Sequence, residues 1–250
     1  MEQQASVIPF SLRSYGLTDI GAIRQNNEDV YTAAHDCNFF ALADGMGGHL
    51  AGEVAAQETI SFLTEHIRQQ RLSSCTEWII ELRDAIERVN RHVYRMGRSE
   101  KSLSGMGTTL CCMVWTADGV VYAHVGDSRV YLYRQQKLTL LTQDHSLLTR
   151  WFGSRRYANM PKGGSAYKHV ITRSIGTGPK ANPEVASVAT EPHDLFFLCS
   201  DGLTDVVSLA EMESVLNQTT DLEQAGKKLV EIAKIKGSSD NMTVLLIGRN

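Results

Sequence analysis

Five short segments of this chain share one arrangement, in which apolar residues meet an acidic residue that stands beside glycine or asparagine. They are Asn26-Asn27-Glu28-Asp29, Ala43-Asp44-Gly45-Met46-Gly47-Gly48, Val125-Gly126-Asp127-Ser128-Arg129, Cys199-Ser200-Asp201-Gly202 and Ser239-Asp240-Asn241. Each reads as an apolar strand that ends in an acid. A carboxylate at the mouth of a buried strand is costly to desolvate without a partner. No lysine or arginine stands beside Asp44, Asp201 or Asp240 in the sequence. Taken singly, each Asp-Gly is a turn signal. Taken together, five acids at strand ends call for a compensating charge, which bound divalent cations supply. Oxygen donors with no local Cys or His pair favour Mg²⁺ or Mn²⁺ over Zn²⁺. Glycine beside an acid also lets a main-chain carbonyl approach an ion closely.

The pattern between these segments predicts strands, then helices, then strands, then helices, then one strand. Residues 12–20, 28–34 and 38–43 read as strands, the last an apolar run that stops at Asp44. Residues 50–70 and 75–96 read as helices. In the second, Trp78, Ile79, Leu82, Ile86, Val89 and Val93 recur at helical spacing. Residues 108–116, 120–125, 129–134 and 137–142 read as an antiparallel meander. Strands at 185–189 and 194–199, helices at 208–217 and 221–236, and a strand at 242–248 follow. Two strand groups and two helix groups imply an α+β sandwich of sheets with helices outside. Strict strand–helix alternation is missing, which argues against a doubly wound parallel sheet. The 250 residues suffice for one large domain, and neither a linker nor a repeat divides them.

Other chemistries lack their residues. None of the five cysteines has an arginine six positions on, as a cysteine-dependent phosphatase needs. Gly226-Lys227-Lys228 fails the P-loop pattern, and Gly45-Met46-Gly47-Gly48 is out of register for a dinucleotide fingerprint. Cys37, Cys75 and Cys199 are isolated, which disfavours a zinc site. A net charge of −3 is too small to mark a nucleic-acid binder. No apolar run reaches the ~20 residues that span a bilayer. The stretch Met1 to Phe10 lacks the basic start and apolar core of a signal peptide. An odd number of cysteines, two of them adjacent in an apolar stretch, fits a reducing compartment, so the expected location is cytoplasmic.

The ordered segments resemble those of the protein phosphatase 2C family, the metal-dependent serine/threonine phosphatases, in its bacterial form. Arg24-Gln25-Asn26-Asn27-Glu28-Asp29 is similar to the opening motif, and Ala43 to His49 to the second. Gly107-Thr108-Thr109, Gly126-Asp127-Ser128-Arg129, Asp144-His145-Ser146, Thr172-Arg173-Ser174-Ile175-Gly176, Ser200-Asp201-Gly202 and Asp240-Asn241 continue the series. The resemblance runs from Gly16 to the last strand. It implies a four-layer αββα sandwich, with two mainly antiparallel sheets between helices and two ions, Mn²⁺ or Mg²⁺, at one end. By this likeness Asp44 bridges the ions and the Gly45 carbonyl and Glu28 complete one site. Asp201 and Asp240 hold the other ion. Asp127 matches a position that supports a third, weaker ion. Asp29 orients water from behind, and Arg24 grips the substrate phosphate. The implied reaction is attack on phosphoserine or phosphothreonine by a hydroxide shared between the two ions. Some members place a histidine directly after the second-motif Asp-Gly as the leaving-group acid. Here Met46 occupies that place, and His49, three residues on, reads as a helix-start residue near the site.

The residues from Ser146 to Asn182 include Arg150, Arg155, Arg156, Lys162, Lys168, Arg173 and Lys180 and no acid. The family carries a variable flap here, at about 145–182. The basic run reads equally as a solvated loop or as a landing strip for an acidic phosphoprotein. The resemblance further implies a monomeric enzyme that opposes a bacterial serine/threonine kinase in a signalling or secretion system, with neither nucleic acid nor membrane as partner. Two other classes stay open from the residues alone: a phosphoprotein-binding relative without catalysis, and a metal-dependent phosphodiesterase.

Overall fold

Side-chain alternation along one strand divides the interior into two cores. In β3 (Phe39–Met46), Phe39, Ala41 and Ala43 pack among Ala55, Leu63, Leu82 and Val89 of two helices. Phe40 and Leu42 point the other way, into a second core with Met113, Trp115, Phe196 and Leu245. The helices are α1 (Ala51–Arg68) and α2 (Cys75–Ser99). A third cluster covers the far sheet, where Phe197, Cys199, Val244 and Leu246 pack against Met212, Val215 and Leu229. The layers therefore run helix, sheet, sheet, helix, the αββα sandwich that the sequence implies. The computed structural model describes residues 11–47, 51–147, 149 and 170–249.

One sheet has the order β1 (Leu12–Asp19), β11 (Met242–Arg249), β10 (Leu195–Cys199), β7 (Arg129–Arg134) and β8 (Lys137–Leu140). The other runs β2 (Asp29–Ala34), β3, β5 (Leu110–Trp115), β6 (Val120–Val125) and β9 (Glu184–Val188), with the short β4 (Gly107–Thr108) beside β3. Every pairing is antiparallel. The far helices are α3 (Asp201–Thr204), α4 (Leu209–Gln218) and α5 (Leu222–Ile235). Caps explain several helix starts. Ser74 with Glu77 and Ser208 with Glu211 each form a reciprocal capping box, and the Asp221 side chain accepts from Glu223 N–H and Gln224 N–H.

Two expectations need correction. The four strands from 108 to 142 do not form one meander: β5 and β6 belong to one sheet, β7 and β8 to the other. The chain crosses between sheets at Gly126-Asp127-Ser128. Gly126 has φ +103°, a left-handed conformation that favours glycine. Facing sheets of a sandwich share the same apolar alternation, so periodicity cannot tell a hairpin from a crossover. The second correction is the four-residue α3, which starts at Asp201 and is too short to show a helical period. Of the expected flap, residues 148 and 150–169 lie outside the described residues, as do Gly48 and His49.

Candidate metal centre and its cleft

Antiparallel pairing places strand starts beside strand ends. In the β2–β3 register, Asp29 stands opposite Asp44, and in β10–β11, Cys199 stands opposite Val244. Glu28 and Asp240 therefore sit just before the starts of β2 and β11. Asp44 lies near the end of β3, and Asp127 and Asp201 follow β6 and β10. The expectation that each acid ends a strand holds for three of the five segments, and antiparallel order brings the other two to the same edge.

That edge is a cleft of 680 Å³ whose lining includes Arg24, Glu28, Asp44, Gly45, Asp127, Asp201 and Asp240. Met46, Gly47, Thr109, Ile171 and Ser239 share it. Every residue named from the sequence as a ligand or phosphate contact is thus on one wall or another. Asp29 alone stands behind, 5% exposed.

Backbone and hydroxyl contacts fix these acids. Asp44 N–H donates to Thr109 Oγ1 (3.0 Å), and the Asp44 carbonyl accepts from Thr109 N–H and Thr108 Oγ1, both at 2.8 Å. Gly45 N–H donates to the Glu28 carbonyl at 3.1 Å. Asn241 ties its own segment to the β1–β2 connection at three points: Oδ1 accepts from Glu28 N–H (2.9 Å), and Nδ2 donates to the carbonyls of Ile20 (2.9 Å) and Asn26 (3.0 Å). Gly202 packs so closely that a Cβ would lie 1.9 Å from the Asn241 carbonyl oxygen, which accounts for glycine after Asp201. Behind the cleft, Asp29 Oδ2 accepts from Ser200 Oγ (2.8 Å) and Thr243 Oγ1 (2.6 Å). Thr243 Oγ1 is 2.7 Å from Thr18 Oγ1, which also accepts from Asn27 Nδ2 at 2.8 Å.

The residue before Asp127 is gripped at two points. His145 N–H donates to the Gly126 carbonyl (2.9 Å), and its ring Nδ1 accepts from Gly126 N–H (3.2 Å). Acceptance at Nδ1 leaves the proton on Nε2, which donates to Glu184 Oε1 at 3.1 Å. Arg129 forms a two-point pair with Asp144 at 2.8 and 2.6 Å, alongside the same crossover. Asn241, Ser200, Thr243, Thr109 and His145 hold the site, yet the sequence reading gave them no role. Asn241 and His145 stand inside quoted motifs, whereas no local signal marks Thr243 or Thr18.

The electrostatics show an excess of negative charge. Burial, then repulsion from Asp29, Asp201, Asp127 and Asp240, pushes the Asp44 carboxyl well above its ordinary range. Burial, then Asp201, pushes Asp127 to about 8. Burial pushes Asp29 to about 7, against the two hydroxyls that stabilise its charged form. Glu28 is also raised, chiefly by burial. The Asp29 Oδ1 atom is buried without a hydrogen-bond partner. Among the described residues Arg24 is the one cationic side chain on the lining, and it donates to Asp240 Oδ2 at 2.6 Å. Five carboxylates facing one guanidinium, with an orphaned carboxylate oxygen behind them, fit hard divalent cations.

Among the described residues, the trio whose ligand atoms lie within 4.8 Å of one another is not in this cleft but is His124, His145 and Glu184. Two contacts argue against a cation there. The His145 Nδ1 lone pair is already taken by Gly126 N–H, and the Arg173 guanidinium lies 3.0 Å from His145 Nε2.

Comparison with known proteins agrees with this architecture. Residues 22–238 match the family described as Protein phosphatase 2C. The serine/threonine phosphatase stp of Listeria welshimeri is 35% identical over 237 residues, covering 93% of this chain and 94% of that protein. PppA of Pseudomonas aeruginosa, a key regulatory component of T6SS, superposes with a TM-score of 0.85 at 28% identity, covering 96% of this chain and 98% of the other. The catalytic domain of the phosphatase PstP in complex with two manganese ions superposes at 0.83 with 32% identity, covering 95% and 98%. The chain belongs to the protein phosphatase 2C family and is a bacterial metal-dependent serine/threonine protein phosphatase.

Proposed function

We propose that this phosphatase works at the acidic cleft with the residue roles expected from its sequence. Glu28, Asp44 and the Gly45 carbonyl take one divalent ion, Mn²⁺ or Mg²⁺, and Asp44, Asp201 and Asp240 take a second. Asp127 with Asp201 takes a third, weaker one. When bound, such ions make water acidic near neutral pH and offset the charge of the phosphoryl group. Arg24 lies at the rim, where its planar guanidinium can give two parallel hydrogen bonds to phosphate oxygens. Asp29, braced by Ser200 and Thr243, keeps Oδ1 for a hydrogen bond from water and so orients the nucleophile. Met46 has no proton to give, so the leaving oxygen takes its proton from water.

One observation carries this reading: five carboxylates from five separate stretches of chain meet, among the described residues, one guanidinium in one cleft. The functional unit is a single phosphatase domain over residues 1–250, and of the flap expected at about 145–182 the described residue Ile171 lines the cleft. The substrate is a phosphorylated protein with an acidic surface, made by a cognate serine/threonine kinase, and the enzyme acts as a monomer in cytoplasmic signalling. Five free cysteines are in keeping with a reducing compartment. The test is hydrolysis of a phosphothreonine peptide after metal removal and after restoring Mn²⁺ or Mg²⁺. Activity should need the metal, and Asp44→Ala and Asp201→Ala should abolish it while the circular dichroism spectrum stays folded. Full turnover in both variants would remove the assignment.

A further inference from the structure

We propose that the C-terminal half of α2 is a docking surface for an acidic segment of the protein substrate, an inference that rests on the phosphatase reading above. Arg91, Arg95 and Arg98 are exposed and stand four and three residues apart on one helix face. With Tyr94 and Pro179 they line a groove of 500 Å³. Helices usually balance such a row with acids three or four residues away, and like charges at that spacing oppose helix formation. Here the balancing acid is turned aside. Glu87, four residues before Arg91, accepts instead from Ala181 N–H (3.3 Å) and Asn182 N–H (2.8 Å). Four residues before Arg95 is Arg91 itself. Four before Arg98 is Tyr94, whose hydroxyl accepts from Arg98 at 3.2 Å.

Arg91 and Arg95 form no ion pair with a described residue. Several arginines elsewhere do, namely Arg68 with Asp36, Arg88 with Glu81, Arg129 with Asp144 and Arg134 with Asp194, whereas Arg13 and Arg71 donate to backbone carbonyls instead. The helix dipole favours cations only in the last turn, which covers Arg98 and leaves Arg91 and Arg95 unexplained. Exposed Lys180, next to Pro179, adds a further positive charge at this surface.

Different residues line the groove and the cleft, but two segments of chain join them. From α2 the chain passes through the turn Lys101–Leu103 to Met106, and a Cβ on Gly47 would lie 3.0 Å from Met106 Cα. Asn90, on the same half of α2, accepts from Gly176 N–H (2.9 Å) and donates to the Gly178 carbonyl (3.0 Å). A substrate with its phosphorylated residue in the cleft can therefore extend across this helix. Guanidinium forks match carboxylates. Nucleic acid fits less well, because the chain as a whole is net acidic at −3 and the groove's one aromatic ring, Tyr94, already packs with Arg98 at 5.7 Å.

The test uses the full chain with Mn²⁺ and three substrates: p-nitrophenyl phosphate, a phosphothreonine peptide, and the same peptide with a distal run of aspartates. The wild type should prefer the tagged peptide in kcat/KM by about tenfold, an advantage carried by KM and reduced by salt. R91E/R95E/R98E should lose the preference while p-nitrophenyl phosphate turnover is unchanged, and R91K/R95K/R98K should keep part of it. Glu and Lys are both good helix formers, so the fold should survive, and single R95E decides the matter if the triple variant does not fold. No preference in the wild type, or an equal preference in the Glu variant, overturns the proposal. So does binding of single-stranded DNA or anionic vesicles that needs these arginines when the tag confers no advantage. Failure to hydrolyse any of the three substrates overturns the phosphatase reading instead, and anisotropy binding of a labelled aspartate-rich peptide then still decides the groove.

Discussion

Replacing Asp29 by asparagine should change the sign of its effect on stability between acid and alkaline pH in metal-free protein. Burial pushes this carboxyl from 3.8 to about 7, with the Thr243 and Ser200 hydroxyls pulling the other way and Asp201 and Asp240 adding to the rise. A folded value above the unfolded one means that the folded chain holds the proton more tightly. The penalty for the carboxylate is thus absent below pH ~4 and grows as pH rises through about 7, reaching about 4 kcal/mol by pH 8. Asparagine carries no charge and keeps an oxygen for the two hydroxyls. Its buried amide nitrogen lacks an acceptor, which costs about 1–3 kcal/mol at every pH. Asp29→Asn should therefore be less stable than wild type by about 1–3 kcal/mol at pH 4 and more stable by a similar amount at pH 8. Urea unfolding followed by circular dichroism in EDTA, at both pH values, measures the crossover. Saturating Mn²⁺ should return the advantage to the wild type at pH 8. If the difference between the two proteins is the same at pH 4 and pH 8, the buried-charge account of this site is wrong.

Further expectations concern the supports of the cleft and its rim. His145→Ala removes the acceptor for Gly126 N–H, and should weaken the weakest Mn²⁺ site several-fold and cost about 1 kcal/mol of stability. His145→Asn, whose Oδ1 can take the same hydrogen bond, should restore most of both, and equal losses in the two variants would show that the grip on Gly126 is not the cause. Arg24→Ala should raise KM for a phosphopeptide about tenfold or more, in line with loss of a charge-assisted contact, and an unchanged KM in steady-state assays would exclude Arg24 from phosphate binding. Thiol alkylation at pH 7 should leave activity intact, because burial pushes Cys37 to about 11, Cys112 to about 12, and Cys111 and Cys199 well up. Loss of most activity on alkylation would point to a thiol in the chemistry.

The parts of this protein that can be read along the chain are those in which neighbours in sequence are neighbours in space. The period of Trp78, Leu82, Ile86, Val89 and Val93 marks α2, and the apolar run into Asp44 marks β3. Both signals are local. The cleft acids were legible because each carries its own glycine or asparagine, so the motif survives separation by a hundred residues or more. The crossover at Gly126 was not, since β6 and β7 alternate alike whichever sheet receives them. Thr18 and Thr243 were also hidden. Their hydroxyls matter only because β1 and β11 pair in a register that sets Thr18 opposite Thr243, behind Asp29. No residue near either threonine announces that contact. The flanking arginines of α2 are a third case: the sequence shows them, but only the structure shows that Glu87 has turned away from them.

On the proposed roles, the Arg24–Asp240 contact would link metal loading to substrate capture. Among the described residues of the lining Arg24 is the one cationic side chain, and it donates to Asp240 at 2.6 Å. The bond is charge-assisted but half exposed, so water and salt screen it and it holds Arg24 only weakly. Asp240 is also an expected metal ligand, and a divalent ion in that place attracts the carboxylate more strongly than a partly hydrated guanidinium does. The same ion repels Arg24. On these roles, neutralising the cleft would do two things at once: it would lower the cost of keeping Asp44, Asp127 and Asp29 ionised, and it would free the guanidinium to meet an incoming phosphate. A cleft built from carboxylates alone would repel that phosphate, and one built with permanent internal counter-ions would have no need of metal.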